Sequence, residues 1–256
     1  MLKFRKMKIG IIGTGAIGGT VAKKLVNAGH RVKVYSADGS KLKTRARELG
    51  ASPSTLNDVV RDVEVVILSV PTTVIPSFPK DLFAGIAKDV IVVDTSNYYP
   101  FRDGDIPELQ DGKVEGEWVA EQIGRPVTKA FNNLLAHTLE HGGNPQGAEG
   151  RIAMAISGDD EKAKATISGL INEVGFDVVD AGSLSDSWRH QPGTPAYCTE
   201  LNTTELKDAL DAGEKEKAAH IRDSAIAQLI ERVTQPSHEE IVVFNRALFP
   251  TNPKTA

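Results

Sequence analysis

Short apolar runs alternate with amphipathic helical segments along residues 1–180, and this alternation limits the chain to few folds. Residues 8–12, 31–35, 63–70 and 90–94 read as strands, and residues 17–28, 41–49 and 56–60 as the helices between them. In the first helix Ile17, Val21, Leu25 and Ala28 share one face, and Gly29 stops it, as Gly50 stops the second. Residues 63–70 are apolar almost throughout, which suits a central parallel strand covered on both faces, and Pro71 ends that strand. Residues 126–131, 151–157 and 176–179 read as further strands. Before the last of these runs a helix, 159–174, with Ala163, Ile167, Leu170, Ile171 and Val174 on one side. Asp159, Asp160 and Glu161 stand at its N-terminal end, where acids are favoured. Strands alternating with helices imply βαβ units, hence an α/β fold with a doubly wound, mostly parallel sheet.

The texture changes after Asp180. Residues 183–197 read as a loop with Pro192, Gly193 and Pro195. Asn202-Thr203-Thr204-Glu205 fits an Asn-initiated capping box, followed by helices 203–210 and 214–233. Ile221, Ala225 and Leu229 share a face with no obvious cover, so a homodimer interface and packing on the chain's own sheet both stay open. The tail from Thr234, with Pro236, Pro250 and Pro253, is expected to wrap over the body or fray. The division expected is residues 1–185 as a nucleotide-binding domain with an extended sheet, and 186–256 as a small C-terminal loop and helical extension.

Gly13-Thr14-Gly15-Ala16-Ile17-Gly18 is G-x-G-x-x-G directly after a strand, opening a helix, inside a βαβ unit. The first glycine permits the tight turn, the second lets the backbone approach a pyrophosphate, and the third allows close helix–strand packing. The N–H groups and dipole of the helix start then hold the anion. This makes the fold Rossmann-like and the ligand NAD or NADP. An acid at the end of the second strand would bind a ribose 2′-OH and repel a 2′-phosphate. Ser36 stands there, with Asp38 two residues on and Lys41 and Lys43 nearby, which favours NADP while leaving NAD open. The carboxyl ends of the later strands line the ligand crevice. That nominates Val70, Pro71, Thr72 and Asn97, and, after strand 126–131, Asn132 and Asn133 for the carboxamide or substrate.

Lys+Arg 30 against Asp+Glu 34 gives a net charge of −4, which argues against a nucleic-acid or anionic-membrane partner. No run approaches the ~20 apolar residues that cross a bilayer. The basic start, Met1 to Lys8, leads into an apolar run too short for a signal peptide, so a cytoplasmic location is expected. The single cysteine, Cys198, excludes an internal disulfide and a cysteine-based zinc site. His137 and His141 are four apart, but no Glu follows His137, so no metal is expected.

The chain resembles the family of NADP oxidoreductases dependent on coenzyme F-420, a deazaflavin, itself similar to the reductase domain of six-transmembrane ferric reductases. The resemblance covers residues 8–185 and rests on GTGAIG, Leu68–Pro71 (LSVP), Val92–Asn97 (VVDTSN), KAFNN, ISGDDEKAK and Val178–Ser187 (VVDAGSLSDS). It implies nucleotide contacts from Thr14, Gly15, Ala16 and Ile17, a 2′-phosphate site at Ser36, Ala37 and Lys41, and further contacts from Val70, Asn97 and Ala136. Where the family pattern has Arg after Ser36 this chain has Ala37, which removes a bidentate phosphate partner. It implies hydride exchange between a nicotinamide and a deazaflavin or flavin co-substrate, chemistry that needs alignment more than an acid–base residue. No acid–base constellation stands out in the sequence; Lys129 and Asn132 are the catalytic candidates, and Asn133, Trp188, Arg189 and His190 the substrate candidates. Reduction of a small carbonyl or imine is the enzymatic alternative, and a non-catalytic nucleotide sensor or scaffold the rival from another class.

Overall fold

The computed structural model describes residues 5–232 and 234–250. In chain order the elements are β1 (Lys8–Ile12), α1 (Ala16–Asn27), β2 (Arg31–Tyr35), α2 (Gly39–Leu49), β3 (Ser52–Pro53), α3 (Leu56–Val59), β4 (Val65–Leu68), β5 (Ile91–Asp94), α4 (Pro100–Asp103), α5 (Pro107–Gln110), α6 (Glu115–Ile123) and β6 (Thr128–Lys129). They continue with α7 (Ala136–His141), β7 (Ala153–Ile156), α8 (Glu161–Glu173), β8 (Asp177–Asp180), α9 (Thr203–Asp211), α10 (Lys215–Ile230) and α11 (His238–Ala247), with 3₁₀ segments at Thr72–Ser77 and Leu184–His190.

Six strands form one sheet in the order β3-β2-β1-β4-β5-β6, parallel at every pair. β1 and β4 sit centrally and are covered on both faces, which is why Ile9–Ile12 and Val65–Leu68 hold no polar side chain. One face packs Ile9, Ile11, Val65 and Ile67 against α1 and α8; the other packs Ile12, Val66 and Leu68 against α3 and α6. The topology reverses between β1 and β4, so the crevice for a nucleotide opens at their carboxyl ends.

The expectation that residues 151–157 and 176–179 extend this sheet is corrected. β7 and β8 pair in parallel with each other as a separate two-stranded sheet. Among the described residues one antiparallel bridge, Lys129 with Ser157, pairs it with β6. The third apolar cluster lies on this small sheet: Ala153, Ala155 and Val179 meet Ala196 and the Leu206, Ala209 and Leu210 face of α9. The segment after residue 185 therefore shares a core with β7 and β8.

Local signals held well. Gly50 takes the left-handed conformation that closes α2, Asp160 caps α8, and Asn202 with Glu205 forms the expected capping box on α9. The tail expected to wrap or fray holds a helix, α11, opened by a Ser237–Glu240 capping box. Val233, the expected end of the preceding helix, and Pro253 lie outside the described residues. The α10 face left open in the sequence turns inward: Ala225 and Leu229 line a cavity that α11 helps to close.

One buried ionic cluster joins β5, β6 and α6. Lys129, fully buried, donates from Nζ to Asp94 Oδ2 at 2.7 Å and to Ser96 O at 2.6 Å. Glu115 lies 3.8 Å from that ammonium, and neither of its carboxylate oxygens has a hydrogen-bond partner. Burial raises its pKa to about 7, opposed by Lys129, by the nearby Tyr98 backbone N–H and by Arg222, with Asp94 adding to the rise. The folded carboxyl thus holds a proton where the unfolded chain has released it. Stability tied to Glu115 is present at low pH and lost as pH rises from about 4.5 to about 7. Glu115→Gln is therefore expected to gain on wild type by on the order of 3 kcal/mol between pH 4.5 and 8 in urea unfolding curves; a pH-independent difference would refute the assignment.

Candidate functional site

The turn between β1 and α1 is shaped for an anion. Gly13 has φ +102°, and a Cβ there would stand 2.0 Å from Ser69 O, just past β4. A Cβ on Gly18 would stand 2.2 Å from Gly13 O and 2.8 Å from Ser69 Cβ. Both glycines are fixed by the close approach of the turn to the end of β4. Gly15 differs: no atom lies within 4 Å of where its Cβ would be. It is the N-cap of α1, no side chain caps that helix, and its first turn holds no acid. Uncapped N–H groups facing open space beside a positive helix end suit a pyrophosphate, so the residues present fit a dinucleotide.

At the adenosine end, Ser36 follows β2, Ala37 is exposed, and Lys41 sits 3.4 Å from Asp38 Oδ2. The Ser40 hydroxyl, at 2.6 Å, and Lys41 hold Asp38 below the usual carboxylate range. Arg45, one helical turn beyond Lys41, reaches back so that its Nε donates to Thr14 O at 3.4 Å. Sequence reasoning missed this guanidinium. Its only signal was the i, i+4 spacing from Lys41, which puts both cations on one face of α2.

At the opposite end the structure gathers residues from five places into one hydrogen-bonded chain. Ser157 Oγ, past β7, pairs with His190 Nε2 at 2.9 Å. His190 Nδ1 pairs with Asn132 Oδ1 at 2.9 Å, while Asn132 Nδ2 donates to His190 O and to Asn97 Oδ1. Asn97 Nδ2 donates to Asn132 O at 2.9 Å and to the Tyr197 hydroxyl at 3.3 Å. The Tyr197 and Tyr99 hydroxyls are 2.6 Å apart. Because Asn132 Oδ1 can only accept, His190 carries its proton on Nδ1 and accepts at Nε2 from Ser157. Burial, with Lys129 nearby, lowers its pKa to about 3, so the ring is neutral.

Backbone strain aims this chain. Phe131, immediately before Asn132, has φ +60°, and Cys198, immediately after Tyr197, has φ +56°. Both are conformations that bulky or branched-off side chains adopt at a cost when the surroundings over-determine them. The surroundings are visible. Cys198 N donates to Asn133 O at 2.9 Å, Asn245 of α11 donates to Cys198 O, and Arg246 donates to Thr199 O and Glu200 O.

Tyr99 and Tyr197 floor a cavity of about 210 Å³. Its walls are mostly apolar, with Leu135, Ile226, Leu229 and Ile241 among them, and Cys198 and Arg222 also reach it. Leu135 is the N-cap of α7, next to Ala136. Of the sequence candidates, the structure thus brings together Asn97 and Asn132 beside this cavity. It places the others elsewhere. Lys129 is enclosed by Asp94 and Ser96, and Asn133 binds Ala196 O and Ala155 N across the small sheet. Arg189 donates to Leu210 O and stacks on Trp188, whose ring packs at Gly213. His190 is fully buried with both ring nitrogens engaged. His137 stacks near His141 and His238, and among the described residues no group of His, Cys, Asp and Glu could hold a metal. Tyr99 was missed, and Tyr197 was not singled out from its loop; 98 positions apart, the two form no motif.

Since space at Gly15 is open, Gly15→Glu is expected to fold with an unchanged Tm and to lose the Tm rise that NADPH gives the wild type. A retained rise would remove the phosphate from this turn.

Comparison with known proteins agrees with this geometry. The family profile "NADP oxidoreductase coenzyme F420-dependent" matches residues 8–98. The YjhV protein of Escherichia coli K12 is 34% identical over 110 residues, which span 43% of this chain and 80% of that protein. The metalloreductase STEAP3 of Rattus norvegicus is 30% identical over 188 residues, 70% of this chain but 35% of that longer protein. The solved structure of a candidate F420-dependent NADP-reductase from Arthrobacter sp. FB24 superposes with a TM-score of 0.58 at 25% identity, covering 71% of this chain and 87% of that one. Among the described residues no helix is long and apolar enough to cross a membrane. The chain resembles the coenzyme F420-dependent NADP oxidoreductase family, whose profile matches residues 8–98, and is a Rossmann-like, NAD(P)-dependent oxidoreductase.

Proposed function

We propose that this oxidoreductase is NADPH-linked and reduces a small carbonyl or imine compound held between the carboxyl end of β5 and helices α10 and α11. The observation that carries the reading is the half-open, mostly apolar cavity of about 210 Å³ whose lining includes two tyrosines hydrogen-bonded to each other. Pockets for drug-sized ligands begin near ~300 Å³, so the compound is small. NADPH, when bound, supplies the hydride. The chain's own residues bind and orient: the Gly13–Gly18 turn takes the pyrophosphate, while Asn97 holds the cavity-lining Tyr197 and Ala136 follows the cavity-lining Leu135. The helices keep water from the reacting atoms.

A deazaflavin or flavin acceptor is the second reading, and the family match favours it. The family resemblance, together with the absence of an acid–base pair visible in the sequence, ranks it first. The paired tyrosines reverse that order, since a flavin-like ring needs alignment but no hydroxyl donor of this kind. NADPH oxidation would be followed in the near ultraviolet with a panel of small ketones, aldehydes and imines, and separately with deazaflavin, riboflavin and FMN. Oxidation is expected with members of the first panel. Oxidation only with the second would replace the carbonyl reading by the flavin one.

For the choice of NADPH over NADH, Ser36 and Lys41 lie where a 2′-phosphate would reach, and Arg45 supplies a cation between that site and the phosphate turn. A charge-assisted hydrogen bond contributes ~1.5 kcal/mol or more, so Arg45→Ala is expected to raise the KM for NADPH about tenfold. The KM for NADH should move far less; equal changes would show that Arg45 serves only the turn they share.

A further inference from the structure

We propose that Tyr197, backed by Tyr99, is the proton donor to the substrate, an assignment that rests on the carbonyl or imine reading above. The argument is a count of protons. Asn97 cannot flip its amide, because its Oδ1 accepts from Asn132 and its Nδ2 donates to Asn132 O. Asn132 in turn is fixed by the neutral His190. Asn97 Nδ2 therefore donates to the Tyr197 oxygen. The two tyrosine hydroxyls own two protons and share one hydrogen bond, at 2.6 Å. With Tyr99 donating in that bond, the Tyr197 proton meets, among the described residues, only the weakly accepting sulfur of the neighbouring Cys198, and both rings line the cavity. That proton is the donor a substrate oxygen or nitrogen would meet.

The other polar groups near the cavity are unsuited. Burial pushes the Cys198 thiol up to about 12. Arg222 is a permanent cation paired twice with Asp223, at 2.7 and 3.1 Å. Thr194 Oγ1 donates to Gln191 O at 2.8 Å and Asn245 Nδ2 to Cys198 O at 3.1 Å, and Lys129 and His190 are enclosed, with their hydrogen-bonding atoms engaged. Burial holds both tyrosines well above their ordinary range, so each stays protonated until the reaction draws on it.

The step balances. Hydride from NADPH adds to the carbonyl carbon, the C=O π bond breaks, and its electron pair takes the Tyr197 proton on oxygen. The nicotinamide is oxidised and the carbonyl reduced to an alcohol; with an imine, nitrogen takes the proton and an amine results. The Tyr197 oxygen keeps the electron pair of its O–H bond while the Asn97 N–H and the Tyr99 O–H hydrogen-bond to it. Water returns the proton after product leaves.

The test compares Tyr197→Phe with wild type on three readouts. The first is kcat on the best ketone or imine of the panel. The second is reduction of an N,N-dialkyl iminium ion, which needs hydride but no proton. The third is NADPH affinity read by its fluorescence, with Tm recorded alongside. The expected result is a ketone kcat lower by ~100-fold or more, with iminium reduction, NADPH affinity and Tm near wild type. Tyr99→Phe should keep a larger share of the ketone activity, since it only backs the donor. A ketone kcat near wild type in Tyr197→Phe, or an iminium rate that falls in step with it, would overturn the proposal in favour of a packing role. If wild type reduces no small carbonyl or imine but does reduce a deazaflavin, the substrate reading fails and takes this proposal with it.

Discussion

The molecule depends on a single neutral histidine. His190 has no solvent exposure, and its two ring nitrogens join Ser157, at the end of the small sheet, to Asn132, at the end of the main one. A charged imidazole there would have to donate at both nitrogens, leaving two donors facing each other at Ser157 unless its hydroxyl turned away. The low local dielectric that makes such a charge costly also strengthens each neutral hydrogen bond in the chain. The consequence travels outward: His190 sets Asn132, Asn132 sets Asn97, and Asn97 addresses Tyr197. Two sheets joined by a single bridge and a loop without regular structure are thereby held in one register.

The extension beyond the nucleotide-binding body gains its role from this arrangement. A Rossmann-like sheet ends in an open crevice at the carboxyl edges of its strands. Here α10 and α11, with the loop after residue 190 and Tyr99 just past β5, line a half-open pocket. Arg246 and Asn245 fasten α11 to the carbonyls of residues 198–200, the stretch where Cys198 and Glu200 take positive φ. Strain next to Tyr197 and next to Asn132 is thus balanced by contacts from elements distant in sequence. Gly13 and Gly18, by contrast, serve packing and leave only Gly15 facing open space.

What the sequence made legible follows the range of the interactions. β1, β2, β4 and β5, and helices α1, α2 and α8, came from periodicity, glycine stops and caps, all local signals. The phosphate turn was legible because its chemistry lies within six consecutive residues. The capping box at Asn202 is legible in the sequence, whereas the equivalent one at Ser237 follows Pro236 in a segment expected to wrap or fray. The small sheet was read as part of the large one, since strand periodicity carries no information about partners. Asn133, Trp188, Arg189 and His190 drew attention as polar or aromatic residues in a loop, yet their contacts are packing and positioning. Tyr99 and Tyr197 gave no signal, because their meaning arises only when β5 and the loop after residue 190 meet.

The most direct measurement is a crystal structure with NADP⁺ and a small secondary alcohol bound. The account predicts the nicotinamide C4 facing the cavity and the alcohol oxygen within hydrogen-bonding distance of the Tyr197 hydroxyl, with Asn97 still addressing that hydroxyl. A nicotinamide turned away from the cavity, or an alcohol seated where neither tyrosine reaches it, would contradict the account.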